Sequence, residues 1–501
     1  VIEGCVEKSA QQRFQSARDL ALTLRAISSS TSMPESLLRR MRKPRKTTID
    51  SIAVLPLENV GDDPESEYLS DGITEGVINR LSQLPKLKVM ARSTVFRYKH
   101  RDAEPQAVGR DLRVRAVMSG RLQRVGDRLV INVELVDAQD GSAIWGEHYN
   151  RQVSDVVKLQ EEMSTEIADK LRLKLTGAER KRLQKKATSN STAYELYLKG
   201  RYHWNKRTEE SVKRGIVFFR EAIEADPSFA NAYAGMADSF LTLGTNVPLP
   251  PREAMPKAKA AAMKAIEIDD GLAEAWASLA AVRWWYDWDW SGAEEAYQRA
   301  VELNPNYANA HDGYAMLLSA RGRPDAAVDQ ISKATDLDPL SLIIAVHAGW
   351  PHYFAREYDA AIRCFDKALE LDPNFIPAHG WRGMALGQQS RFGEALEGFR
   401  RALDVERIPI LLAMVGHTYA ISGNRAEAER VLTELQFEAS YVSPYDIAVI
   451  HAGLGDHASA IRALKEALDD RSAWMVFLPR DPRLDVLRGE ESFREIAARL
   501  R

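Results

Sequence analysis

Alanine recurs every 34 residues through the C-terminal half of this 501-residue chain. Ala293, Ala327, Ala361 and Ala395 form one series and Ala300, Ala334, Ala368 and Ala402 a second, while Pro305, Pro339 and Pro373 keep the same step. Three series locked to one period are the mark of a chain built from stacked copies of one supersecondary unit. The turns repeat too: Glu-Leu-Asn-Pro-Asn at 302–306, Asp-Leu-Asp-Pro-Leu at 336–340 and Glu-Leu-Asp-Pro-Asn at 370–374. Each unit predicts a helical hairpin. Small residues such as Gly349, Gly383, Ala361 and Ala395 fall where paired helices approach closely, and Tyr297, Ile331, Phe365 and Phe399 fill the space between hairpins. Proline ends the second helix, because it lacks a backbone donor and clashes with the preceding turn. The expectation for this part is an all-α solenoid.

The period and turns resemble the tetratricopeptide (TPR) family. Extending the register gives about eight units over 191–471. The first ends at Asp226-Pro227, the second carries an insertion from Gly244 to Pro251, and the last two drift, with Arg407 where proline is expected. The tail 472–501 is expected to cap the array, since an uncapped solenoid exposes an apolar face. The resemblance implies a protein or peptide partner on the concave face, lined by the first helix of each hairpin. By repeat phase that face includes Trp284, Met316, Trp350, Tyr353, Met384 and Met414. The lysine and asparagine set that clamps a chaperone tail's carboxylate is missing, so an apolar or aromatic-anchored partner is expected. The competing reading is that these side chains contact only neighbouring repeats.

Residues 48–175 read differently. Ser51-Ile-Ala-Val-Leu-Pro-Leu57 is a buried strand, followed by a helix over Tyr68–Leu84, a strand over Lys86–Ala91 and a short helix over Glu104–Leu112. Three strands follow, at Ala116–Arg124, Leu129–Asp137 and Ser142–Tyr149, with turns at Gly126-Asp127 and Asp140-Gly141. Leu129, Ile131, Val133 and Leu135 alternate with more polar neighbours, as in a half-buried strand. A helix over Val153–Leu175 closes an α/β domain. Ser51-Ile-Ala-Val-Leu-Pro56, Tyr68-Leu-Ser-Asp-Gly-Ile73, Ser119-Gly-Arg-Leu122 and Trp145-Gly-Glu-His-Tyr149 resemble the TolB amino-terminal-like (FlgO-like) domain. That resemblance implies a domain preceding TPR arrays, behind a kinase, a cyclase or a winged-helix regulator, and fold alone carries no function.

Residues 1–27, with Gln12-Arg-Phe-Gln-Ser-Ala-Arg-Asp-Leu20, look like the last two helices of a bacterial serine/threonine protein kinase. In that family Arg13 would pair with an activation-segment glutamate lying upstream, so the chain is expected to be an internal fragment of a longer kinase. Residues 28–47 form a polar linker ending in Arg39, Arg40, Arg42, Lys43, Arg45 and Lys46. A solvated tether is expected there, although such a cluster could also attract anionic lipid or nucleic acid.

A net charge of -3 gives no reason to expect a nucleic-acid partner. The two cysteines, Cys5 and Cys364, are too few for a disulfide framework and fit a reducing, cytoplasmic compartment. No apolar run reaches the ~20 residues a membrane span needs. His100-Arg101-Asp102 spells the kinase catalytic triplet, but Ala107 stands where the metal-binding asparagine belongs. His347 and His352, five apart, diverge on a helix rather than pairing on zinc with Cys364. The five aromatics of Trp284–Trp290 could stack bases or ligands; packing between repeats is the preferred reading. The sequence therefore predicts an α/β domain followed by an all-α TPR solenoid, with a short helical kinase remnant, no catalytic site, no cofactor and no metal. Its function is expected to be that of a protein-interaction scaffold or sensor. The alternatives are a nucleotide-binding, ligand-binding or enzymatic α/β domain, and the regulatory part of a transcriptional regulator or adenylate cyclase.

Overall fold

The computed structural model describes residues 49–61, 66–101, 103–245, 249–438 and 441–500. The kinase-like stub 1–27 and the linker 28–47 lie outside them, as do Asp102 and the middle of the insertion after Gly244.

Strands β1 (Ser51–Val54), β2 (Glu58–Asn59), β3 (Lys88–Val89), β4 (Ala116–Val125), β5 (Arg128–Asp137) and β6 (Ala143–Gln152) form one mixed sheet. Its order is β3-β1-β4-β5-β6, with β2 also on β4. β1 runs parallel to β3 and β4, and β4, β5 and β6 are antiparallel. Gly126 and Gly141 make the two hairpin turns at φ 64° and 74°, a region that disfavours any residue with a Cβ. One sheet face packs on helices α1 (Glu67–Ser82) and α4 (Val156–Lys170). Ile73, Val77, Leu159 and Met163 share a core there with Ile52, Leu122, Ile131 and Leu135. On the other face the cross-strand row Arg121, Asn132 and His148 stands in solvent. Short helices α2 (Arg92–Val95) and α3 (Pro105–Leu112) sit in the connections.

The helix expected over Val153–Leu175 is shorter, a 3-10 turn at Val153–Asp155 followed by α4, and a separate helix lies beyond it. α4 stops at Lys170, and Arg172 adopts φ 60°. α5 (Gly177–Leu183) starts on a capping box in which the Thr176 hydroxyl accepts from Glu179 N and the Glu179 carboxylate accepts from Thr176 N.

Eight helix pairs follow. They are α6 (Ser191–Asn205) with α7 (Glu209–Ala225), α8 (Ala230–Thr245) with α9 (Pro251–Ile268), α10 (Ala273–Val282) with α11 (Trp290–Leu303), and α12 (Ala308–Ala320) with α13 (Pro324–Leu337). In the fifth pair the first helix is split into α14 (Leu342–His347) and α15 (Trp350–Phe354), where Pro351 begins the second piece, opposite α16 (Tyr358–Leu371). Then come α17 (Ile376–Gln388) with α18 (Phe392–Val405), α19 (Pro409–Ile421) with α20 (Arg425–Gln436), and α21 (Pro444–Gly453) with α22 (His457–Asp470).

The repeat chemistry works as packing. All eight phased alanines are fully buried. A Cβ on Gly349 would stand 2.3 Å from the Phe365 ring, and one on Gly383 2.5 Å from Phe399, so glycine on a first helix makes room for the aromatic on the second. Ala361→Leu is expected to destabilise by ~1–3 kcal/mol through overpacking. An unchanged melting temperature would mean the space beside Ala361 is larger than this.

The α/β domain and the connector after it are fastened to four successive inter-repeat turns. Thr188 donates to Asp226 (2.5 Å) and Lys185 to Asp269 (2.5 Å). Asn304 donates to the Ser82 hydroxyl (2.9 Å), and the Asp338 carboxylate accepts from Thr94 (2.7 Å) and from Ser93. The Asn306 amide adds bonds to the carbonyls of Ser82 (2.9 Å) and Leu87 (2.9 Å). Asn304 and Asp338, which stand before the turn prolines, are both buried. Residues 49–500 thus pack as one compact unit.

Candidate peptide-binding groove

First helices of successive pairs place their large side chains on one inner surface. Trp284 and Trp285 come from a π-helical turn, Arg283–Asp287, that continues α10 and ends at Trp288 with φ 62°. Met316 lies on α12, Trp350, Tyr353 and Phe354 on α15, Trp381 and Met384 on α17, and Met414 on α19. The six residues expected to line the groove, Trp284, Met316, Trp350, Tyr353, Met384 and Met414, meet in a single apolar cluster.

That surface is not open. Trp284 is 0% exposed, Tyr353 1%, Trp350 4%, Met384 4% and Met414 7%, and only Met316 is half-buried. The cover on this face comes from the chain itself, because two 3-10 turns of the tail, Ala473–Phe477 and Pro482–Leu487, cross it. Phe477 stacks on Phe354 (centroids 4.5 Å apart, 5° between planes) and meets Trp350 (5.3 Å) and Trp284 (5.9 Å) edge-on. Trp474 lies against Trp350 (5.8 Å) and Trp381 (5.7 Å). Charge-assisted bonds fix the crossing. Arg356 forks onto the Asp485 carboxylate (2.8 and 3.1 Å) and donates to the Arg480 carbonyl (2.9 Å), while Arg471 donates to the Tyr286 carbonyl (2.8 Å). Helix α23 (Glu491–Ala498) packs with the last pair, burying Phe493 and Ile496 there. The tail therefore covers the last hairpin and also fills the groove.

Toward the N-terminal end the inner surface turns polar and faces the α/β domain. Arg201 on α6 donates through Nε to Glu75 on α1 (2.8 Å), with Nη2 2.7 Å from the same carboxylate, and Nη1 donates to Asp238 on α8 (3.2 Å). Glu75 also lies 3.0 Å from Arg92 Nε and accepts from Asn205 (3.1 Å). Burial presses the Glu75 carboxyl upward, but Arg201 and Arg92 outweigh it and hold the group below the usual glutamate value. For Asp238 burial prevails over Arg201, and its carboxyl is raised. Beside them a cavity of about 40 Å3 is bordered by Asn79, Tyr197, Asn231, Glu274 and Tyr307. Burial raises the Glu274 carboxyl as well. Periodicity could not reveal this cluster, since it encodes apolar faces.

The histidines take packing roles. His347 Nδ1 meets the Asp312 carboxylate (2.9 Å) and its ring lies 4.6 Å from Trp350, while His352 pairs with Glu357 (2.7 Å). Among the described residues no three His, Cys, Asp or Glu side chains are grouped as a metal site, and no helix is long and apolar enough to cross a membrane.

Residues 296–329 and 348–409 match families described as tetratricopeptide repeat. Residues 47–169 match the family described as HilA/YgeH-like transcriptional regulator, second domain. Among curated relatives, the putative adenylate cyclase 3 of Rhizobium meliloti (strain 1021) is 35% identical over 195 residues, covering 38% of this chain and 33% of that protein. The transcriptional regulator HilA of Salmonella typhimurium (strain LT2) is 24% identical over 332 residues, covering 65% of this chain and 57% of HilA. The chain thus spans between a third and somewhat over half of these relatives' length. Solved structures that resemble it include PilF of Pseudomonas aeruginosa (20% identity, 42% of this chain and 91% of that one, TM-score 0.33). Another is YrrB, described as a TPR protein with an unusual peptide-binding site (24% identity, 38% and 96%, TM-score 0.26).

Proposed function

We propose that this chain is the non-catalytic docking part of a bacterial, cytoplasmic signalling protein, with the TPR array and the α/β domain acting as one platform for protein partners. The observation that carries the reading is the fastening of the α/β domain and the connector after it to four inter-repeat turns, which supports the two parts acting together. The resemblance of residues 1–27 to the end of a kinase and of 48–175 to TolB amino-terminal-like domains supports a serine/threonine kinase as the longer protein. A second reading, the regulatory part of a transcriptional regulator, is favoured by the HilA likeness, which extends over 65% of the chain. In either case the output chemistry belongs to another segment, because the shared region is only part of each relative. Purified 1–501 is expected to transfer no phosphate from ATP and form no cyclic AMP, while cross-linking in its native cells joins the array's outer helices to a recurrent protein. Turnover of ATP, or cross-links that are exclusively internal, would sink the proposal.

A further inference from the structure

β6 ends the sheet: it pairs with β5 on one side and, among the described residues, with no strand on the other. In an antiparallel ladder, alternate residues aim both backbone groups at the same neighbour. Val153 N donates to Asp127 O (2.9 Å), and Asp127 stands opposite Val153 by the register that sets Arg128 against Gln152. Tyr149, Glu147 and Arg151 therefore bond toward β5, and Gly146, His148, Asn150 and Gln152 aim their N–H and C=O groups outward. Two side-chain contacts agree with this phase. The His148 N–H is held by the Glu147 carboxylate (3.1 Å), and the Asn150 carbonyl accepts from Arg151 Nη1 (3.3 Å).

Such an edge is normally blunted by proline, lysine, a bulge or a covering element. β6 contains no proline or lysine, its one register irregularity lies at the far end beside Leu135 and Val136, and Gly146, His148, Asn150 and Gln152 are all exposed. What the edge does carry is one acid and one base, four residues apart.

We infer that β6 is a self-pairing edge, onto which a second copy of this chain adds its own β6 antiparallel, with Tyr149 facing Tyr149 across the two-fold axis. Charge selects this register. It sets Glu147 opposite Arg151 twice, and it matches outward-facing residues with each other, His148 with Asn150 and Gly146 with Gln152. Shifting the axis to Glu147 or to Arg151 places like charges directly opposite, which is unfavourable in a cross-strand pair. Glu162 on α4 holds the Arg151 guanidinium (3.0 Å). On pairing, the outward groups exchange their side-chain caps for a main-chain ladder, the mode of strand addition.

Sedimentation of the full chain across a concentration series tests this. The unaltered chain should form dimers. Glu147→Arg and Arg151→Glu should each raise the dissociation constant roughly tenfold or more, because two symmetry-related pairs turn repulsive at once. Mixing the two variants should restore association as a heterodimer, since every reversed charge then meets its opposite. His148→Pro, which removes an outward N–H together with the ring's contact to Asn132 (2.7 Å), should also dissociate the dimer while leaving the main-chain ladder to β5 intact. A chain that stays monomeric at its highest soluble concentration, or dimers that survive both Glu147→Arg and His148→Pro, would overturn the inference.

Discussion

Phe477→Ala should cost ~3–5 kcal/mol, the range for deleting a buried aromatic ring from a core. Phe477 is fully buried and its ring contacts side chains from several helices: Phe354 and Trp350 on α15, Trp284 and Trp285 on the turn after α10, and Trp474 in its own segment. These neighbours are anchored on separate hairpins, so they cannot close over the vacated space together. The segment also holds Val476, fully buried in the same cluster, and losing the ring unseats it as well. Tryptophan fluorescence should shift to the red as Trp284, Trp350 and Trp474 meet water, and trypsin should cut quickly at Arg480, Arg483 and Arg488. Phe437, 84% exposed, supplies the control, and Phe437→Ala should change neither readout. If Phe477→Ala melts and resists trypsin like the unaltered chain, the groove is not held closed by this ring.

The 34-residue period is legible because every unit must solve the same contact, so Ala293 and its phase mates are small for one shared reason. The period also brought the six groove residues onto one surface. It could not show the occupant. Trp474 and Phe477 lie outside the repeat phase, and their contacts reach far back along the chain, to Trp381 on α17, Trp350 on α15 and Trp284 on the turn after α10. In the α/β part, β5 shows alternation and the glycine turns mark the hairpins. β2, two residues long, and α2, four, are too short to carry any period. Asn304 and Asp338 were legible only as turn formers. Their second use, as buried latches for Ser82, Ser93 and Thr94, needs knowledge of what lies across the turn.

The polar junction at Arg201 was equally hidden in the sequence, and Arg201→Met should be the costliest change to it. The guanidinium bridges Glu75 of the α/β domain and Asp238 of the second hairpin, and all three side chains are mostly shielded from water. Burial, the largest influence on Arg201, disfavours its charge, but the surrounding carboxylates reverse that and hold it more firmly protonated than usual. A buried pair is weak evidence of stability in itself, but removing one partner strands the others, at ~3–5 kcal/mol. Glu75 would retain Arg92 and Asn205, while Asp238 would retain the Ser278 hydroxyl at 2.6 Å and the Arg207 charge, which bears on it less than Arg201 does. The pH dependence has a definite sign. The Glu75 carboxyl is depressed in the folded chain, so its contribution is present above the ordinary value of 4.5 and is lost as pH falls through the folded value. Asp238, already raised by burial, suffers in its ionised form when Arg201 is absent and is relieved by protonation. Both groups make the deficit of Arg201→Met largest at neutral pH and smaller on acidification. Denaturation of both chains across that range measures it, and a deficit that is constant or grows as pH falls would mean that Arg201 acts through packing on Trp204, 4.3 Å away, rather than through the two carboxylates.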